Sequence, residues 1–166
     1  MTRGKSLAAD TVAGMAYRVR TELAAPRALA AVRAVTTPQR LGTDMIAALD
    51  QVWPLLREQG ARHGHNIVIY YAGQPGELTI DADVEVPGGF TPRDAVRPVD
   101  TPAGESAAVT HYGEYTDLAG AYAALGQWCA ANGRQRAGTS WEVYGDWEED
   151  PAKRRTDVYF LLEPSA

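Results

Sequence analysis

One cysteine, Cys129, leaves no partner for an internal disulfide and fits a reducing compartment. No apolar run reaches the roughly 20 residues a membrane-spanning helix needs. Met1 to Gly14 lacks the apolar centre of a secretory signal and reads as a loosely ordered tail. There is no long run of Lys or Arg, and the formal net charge of -5 weighs against a phosphate-binding surface. Zinc-finger, helix-turn-helix and RNA-binding signatures are missing. So are Gly-x-Ser-x-Gly, His-Glu-x-x-His, a phosphate loop and a dinucleotide fingerprint. His63 and His65 flank Gly64 with no third ligand nearby in the sequence. These absences point to a soluble cytoplasmic chain with no cofactor, no metal, no direct nucleic-acid binding and no membrane partner. A chain of 166 residues, 45% of them hydrophobic, is long enough for one domain with a sizeable core.

What is present is alternation and helical spacing, in that order, twice. Tyr17, Val19, Thr21 and Leu23 alternate with charged residues, as in a half-buried strand, and Ala25-Pro26 interrupts it before a second extended piece from Leu29 to Val35. Met45, Ile46, Leu49, Val52, Trp53 and Leu56 form one buried helical stripe, with Thr43 as a candidate N-cap, Pro54 as a kink and Gly60 as the terminating residue. Ile67 to Tyr71 and Leu78 to Val86 read as strands, the second with Asp81, Asp83 and Glu85 on a solvated face. After Pro87 to Pro92 the pattern returns. Val96 to Val99 is a strand interrupted at Thr101-Pro102. Thr116 can cap a helix whose face is Leu118, Ala121, Tyr122, Leu125, Trp128 and Cys129. Trp141 to Trp147 and Thr156 to Leu162 are the closing strands.

The repeats span about 17–92 and 95–164. Val19 aligns with Val96, Val32 with Val109, Gly60 with Gly133, Tyr71 with Tyr144 and Asp83 with Asp157. The expected fold is α+β: duplicated strand-helix-strand-strand modules form one antiparallel sheet, with both helices on one face and a ligand groove on the other.

Glu142 and Tyr144 share one side of their strand, since alternate residues do. A carboxylate beside a phenol suits a buried binding group; it equally suits an edge glutamate that blocks aggregation. The repeat alignment sets Ile69 opposite Glu142 and Tyr71 opposite Tyr144, so these four residues are expected at the centre of the groove, with Tyr112 and Trp147 as candidate walls. A groove with one carboxylate and flanking phenols suits an apolar cation, each phenol face adding about 0.5–2 kcal/mol. His111 reads as a residue that fixes its loop, and Cys129 as a buried thiol.

Two motifs, His111-x-Gly113-x-Tyr115 leading into the second helix and Glu142-x-Tyr144 followed by Asp150-Pro151, carry a resemblance over roughly Tyr17 to Pro164. The chain resembles GyrI-like proteins, the small-molecule-binding domain shared with effector domains of multidrug-responsive bacterial regulators such as BmrR and Rob. The resemblance implies that Glu142 is the pocket carboxylate and Tyr144 its companion. It implies binding of lipophilic, often cationic aromatic molecules, with a separate regulator or homo-oligomer as partner. Two other functions stay open. Some stand-alone relatives resemble hydrolases that open cyclopropane-containing xenobiotics, with Glu142 as the catalytic group. A third reading is a protein-binding inhibitor of a topoisomerase.

Overall fold

The computed structural model describes residues 17–165, so the tail expected over 1–14 lies outside the described residues. The first half comprises β1 (Arg20–Ala24), β2 (Ala28–Thr36), α1 (Leu41–Gln59), β3 (Asn66–Tyr71) and β4 (Leu78–Glu85). The second comprises β5 (Arg97–Asp100), β6 (Gly104–Tyr112), α2 (Ala119–Ala131), β7 (Arg136–Tyr144) and β8 (Arg155–Leu162). The eight strands make one antiparallel sheet in the order β1-β6-β8-β7-β3-β4-β2-β5. The architecture is the α+β duplication read from the sequence. Each half exchanges its first strand: β1 pairs with β6, setting Arg20 opposite Ala108, and β5 pairs with β2, setting Arg97 opposite Ala31. The two cross-pairings are the same pairing with the halves interchanged. The halves meet along β3 and β7 at the middle of the sheet.

Register decides which residues share a face. Ala82, Val68, Glu142 and Val158 form one row across β4, β3, β7 and β8. Ala82 packs in the core under α1, with Val52, Leu55 and Leu56. Val158 packs in the core under α2, with Ala121, Leu125 and Cys129. Both helices therefore lie on the face that carries Glu142. A third core covers the reverse face, where Ile67, Ile69, Trp141, Val143 and Tyr159 cluster and the Trp141 and Tyr159 rings stack at 4.9 Å.

Local chemistry sets the helix ends. α1 starts at Leu41, ahead of the expected cap Thr43, after a turn closed by the Arg40 amide on the Thr37 carbonyl. Asp44 in its first turn accepts from the Thr36 hydroxyl at 2.6 Å and pairs with Arg40, placing negative charge where the helix dipole favours it. Thr116 lies in a 3-10 turn, Tyr115–Asp117, so it does not cap α2. The helix α1 runs through Pro54 to Gln59 and ends at Gly60 with φ +60°, the left-handed geometry glycine adopts at little cost.

Asp81 and Asp83 are not on a solvated face; both are fully buried. β4 is flanked by β3 and β2, and the reverse face of the sheet is covered as well as the helix face. Asp81 is neutralised by a bidentate contact from Arg33, both bonds at 3.0 Å, and by the Tyr71 hydroxyl at 2.7 Å. Neither oxygen of Asp83 meets a donor among the described residues. Burial first, and the Asp81 charge second, push the Asp83 carboxyl well above the usual carboxylate range. A folded-state pKa raised above the unfolded value of about 3.9 means folding retains a proton, so this site costs stability progressively as pH rises above about 4. Asp83→Val, close in volume and apolar, is expected to stabilise the fold by about 1–3 kcal/mol, the cost of an unsatisfied buried polar group. Urea denaturation at pH 5 and pH 8 checks this, with the gain larger at pH 8.

Candidate functional site

The helix face of the central strands carries a carboxylate ringed by phenols. Glu142 on β7 is 4% exposed. The Tyr144 hydroxyl, two residues along the same strand face, donates to its Oε1, and the Tyr122 hydroxyl, reaching down from α2, donates to its Oε2. Tyr70, on the helix face of β3, adds a third phenol contact. The Tyr115 ring meets the Tyr144 ring edge-on at 5.7 Å, and the Tyr122 ring lies 5.8 Å from that of Phe160.

Burial pushes the Glu142 carboxyl above the usual range, and the hydrogen bonds from Tyr122, Tyr144 and Tyr70 draw it part of the way back. Burial and then the Glu142 charge raise all three phenols, so each remains a donor. No arginine, lysine or histidine bonds to the carboxylate among the described residues. It is satisfied as a hydrogen-bond acceptor and has no counter-charge, a state that favours the arrival of a cation.

A cleft of about 660 Å³ opens above it, lined by Leu41 from α1, Tyr122 from α2, Tyr70 to Gly73, Glu77 and Leu78 from β3 and its turn, and Arg136, Gly138, Ser140 and Glu142 from β7. The cleft is thus on the helix-bearing face, between the start of α1 and the first turn of α2. The opposite face, expected to bear the groove, carries the third core beneath smaller clefts that do not include Glu142.

Ile69 is fully buried on the reverse face, paired with Trp141. Tyr71 borders the mouth of the cleft, yet its hydroxyl is committed to Asp81 on the reverse face. Tyr112 sits at the end of β6 against Arg155, half exposed and away from Glu142. Trp147 is 68% exposed, with the Arg154 guanidinium 3.9 Å from its ring centroid. Of the six residues expected at one site, Glu142 and Tyr144 are hydrogen-bonded to each other and Tyr71 lines the same cleft as Glu142. The phenol that matches Tyr144 across the duplication is Tyr70: Ala82 lies beside Val68 as Val158 lies beside Glu142, each under its own helix. The repeat alignment slipped by one residue because β7 carries an irregularity. Its register against β8 shifts between Arg136 and Ser140, at Gly138 with φ +88°. A one-residue slip moves every side chain to the other face. Tyr122 was visible only as a member of a helical core stripe; helical spacing cannot say which stripe residue ends in a carboxylate.

His111, fully buried, holds the loop ahead of α2. Its Nε2–H donates to the Glu114 carbonyl at 3.0 Å, and its Nδ1 accepts from the Tyr17 hydroxyl at 2.7 Å. Gly113 has φ +146°, and a side chain there would press on the His111 ring at 3.2 Å. The motif thus sets the position of Tyr115 and α2, and through them Tyr144 and Tyr122. His63 packs edge-on against Trp53, and His65 lies 3.8 Å from Asp146.

Residues 17–163 match the family described as GyrI-like small molecule binding domain, and the chain belongs to that family. Its fold is similar to that of the C-terminal domain of EcmrR. With the EcmrR C-terminal domain it shares 18% identity over 91% of this chain and 100% of that one, at a TM-score of 0.73. A hydrolase from Listeria innocua encoded by lin2189 shares 10% identity over 88% and 92% of the two chains, TM-score 0.59. SAV2435, whose structure is bound to tetraphenylphosphonium, shares 11% over 90% and 94%, TM-score 0.54. Among curated proteins none matches the chain.

If Tyr122 supports the Glu142 carboxylate, Tyr122→Phe should destabilise the fold by about 1–3 kcal/mol, with a smaller loss in a Glu142→Gln background. A coupling of about 0.5–3 kcal/mol in the double-mutant cycle, read from chemical denaturation, is the expected outcome.

Proposed function

We propose that the cleft binds lipophilic, often cationic aromatic molecules, and that Glu142 is the group that selects the charge. The observation that carries this reading is the Glu142 carboxylate, buried among three phenols without a cationic partner. A cation entering the cleft meets an acceptor whose hydration is already gone, and phenol faces that attract positive charge. The family to which the chain belongs is described by small-molecule binding, which supports the same reading. Burying about 400 Å² of apolar surface at roughly 25 cal/mol per Å² provides about 10 kcal/mol before costs. Association and ordering take back several kcal/mol, so affinity falls in the micromolar range. Sequestration of xenobiotics, or signalling of their presence to a separate regulator or a second copy of the chain, fits such affinity. No described helix is long and apolar enough to cross a membrane.

The test is titration with tetraphenylphosphonium and with its isosteric anion, tetraphenylborate. Wild type should favour the cation. Glu142→Gln should weaken it by about 1–3 kcal/mol, the scale of a charge-assisted contact, and leave the anion unweakened. Equal loss for both ions would place Glu142 outside the recognition step.

A second reading is hydrolysis of a strained three-membered ring. The likeness to the Listeria innocua hydrolase is one of fold, and the raised Glu142 carboxyl supplies a candidate base. Glu142 would take a proton from water as the oxygen attacks a ring carbon, and a phenol would protonate the acceptor that receives the ring electrons. Ring opening followed by mass spectrometry should then be faster with wild type than with Glu142→Gln. Rates equal to buffer for both, with binding retained, leave a binder alone.

A further inference from the structure

The cleft contains a second charge that the cation reading does not use. Arg136 opens β7 and lines the same cleft as Glu142, with its guanidinium 3.7 Å from the centroid of the Phe160 ring. Phe160 itself is 1% exposed, so the guanidinium lies on a fixed surface. Among the described residues Arg136 makes no ion pair and no side-chain hydrogen bond. Its strand-side neighbour Arg134, by contrast, is bound to Glu105 at 2.7 Å.

Arg136 does not neutralise Glu142. The polar partners of Glu142 are Tyr122, Tyr144 and Tyr70. Tyr122, which donates to Glu142 and lines the same cleft, is raised first by burial and then by the Glu142 charge, and is lowered by Arg136. The cleft therefore holds a buried negative group, Glu142, and an exposed positive fork, Arg136, with the Glu77 carboxylate also on its lining.

We propose that the molecules this cleft favours are zwitterionic: a planar aromatic body bearing a positive group for Glu142 and a carboxylate, or a comparable anionic acceptor, for Arg136. The proposal rests on the reading of the cleft as a ligand site. Its physical basis is the geometry of arginine. A guanidinium presents its donors in one plane and binds carboxylates through two parallel hydrogen bonds. Stacking on Phe160 restricts that plane before a ligand arrives, so little freedom is lost on binding. A ligand with positive charge alone is attracted by Glu142 and repelled by Arg136. A ligand with both charges is attracted at both ends, and its charge separation selects molecules of one length. Arg136 is thereby a specificity-determining residue of the cleft.

The test uses two dyes with the same cationic xanthylium body. Rhodamine 110 carries a free carboxylate, and rhodamine 123 carries its methyl ester. Each is titrated at pH 7.5 by fluorescence anisotropy into wild type, Arg136→Gln and Arg136→Lys. Wild type should bind the acid about tenfold more tightly than the ester, the scale of one charge-assisted contact. Arg136→Gln should abolish that preference by weakening the acid, with the ester unchanged or tighter as its repulsion is relieved, and Arg136→Lys should keep part of it, since charge remains and the fork is lost. Arg136 is exposed, so circular dichroism of both variants should match wild type. Equal binding of acid and ester by wild type overturns the proposal and leaves the ligand site intact. Equal weakening of both dyes by Arg136→Gln overturns it as well. No binding of either dye to wild type removes the ligand-site reading and the proposal with it.

Discussion

The interaction on which the rest depends is the set of hydrogen bonds from phenols to the Glu142 carboxylate. A charge taken out of water costs several kcal/mol unless its lone pairs are met. Here neutral donors from two elements meet them, Tyr144 from β7 and Tyr122 from α2, with the Tyr70 phenol of β3 close by. The arrangement satisfies the carboxylate without cancelling its charge. An arginine in the same place would have stabilised the empty protein and removed its attraction for a cation. Phenols satisfy the carboxylate's lone pairs and leave its charge unpaired.

Assembly of that set requires the duplication. β3 and β7 come from different halves and pair at the middle of the sheet, which brings Tyr70 and Glu142 onto adjacent strands. The exchanged strands β1 and β5 tie each half to the other at the sheet edges. α2 must then sit at a fixed height over β7 for Tyr122 to reach down. The His111 hydrogen bonds and the tight turn at Gly113 fix where the segment before α2 leaves the sheet. The His-x-Gly-x-Tyr motif is therefore a supporting device for the Glu-x-Tyr motif, and the two are coupled through Tyr115 and Tyr144.

The two halves differ at the carboxylate position. Val68 occupies in the first half the place Glu142 takes in the second. A second carboxylate there would face the first across the strand pair, and like charges so close in a dry site disfavour ionisation of both. Glu142, off the pseudo-two-fold, makes the two halves unequal at the cleft, which Arg136 also lines. The reverse face follows a different rule. There Asp81 is paired with Arg33 and accepts from the Tyr71 hydroxyl, while burial and the Asp81 charge push the Asp83 carboxyl well above the usual carboxylate range.

Local pattern alone determined much of this protein. Period-two alternation and helical stripes located the strands and both helices, because side-chain periodicity is a property of the backbone itself. The repeat of those patterns specified the duplicated sheet, and Glu142-x-Tyr144 on one strand face followed from alternation. Tertiary structure decided the rest. Whether Asp83 met water depended on what covered the second face of the sheet, which no single strand encodes. Whether Tyr70 or Tyr71 joined the site depended on parity across the irregularity at Gly138, where one residue reverses every face. The helix face became the cleft, and Tyr122 and Arg136 became its lining, only when α1 and α2 packed apart over the seam. Contacts between residues distant in sequence are set by register and packing, and those are properties of the assembled sheet.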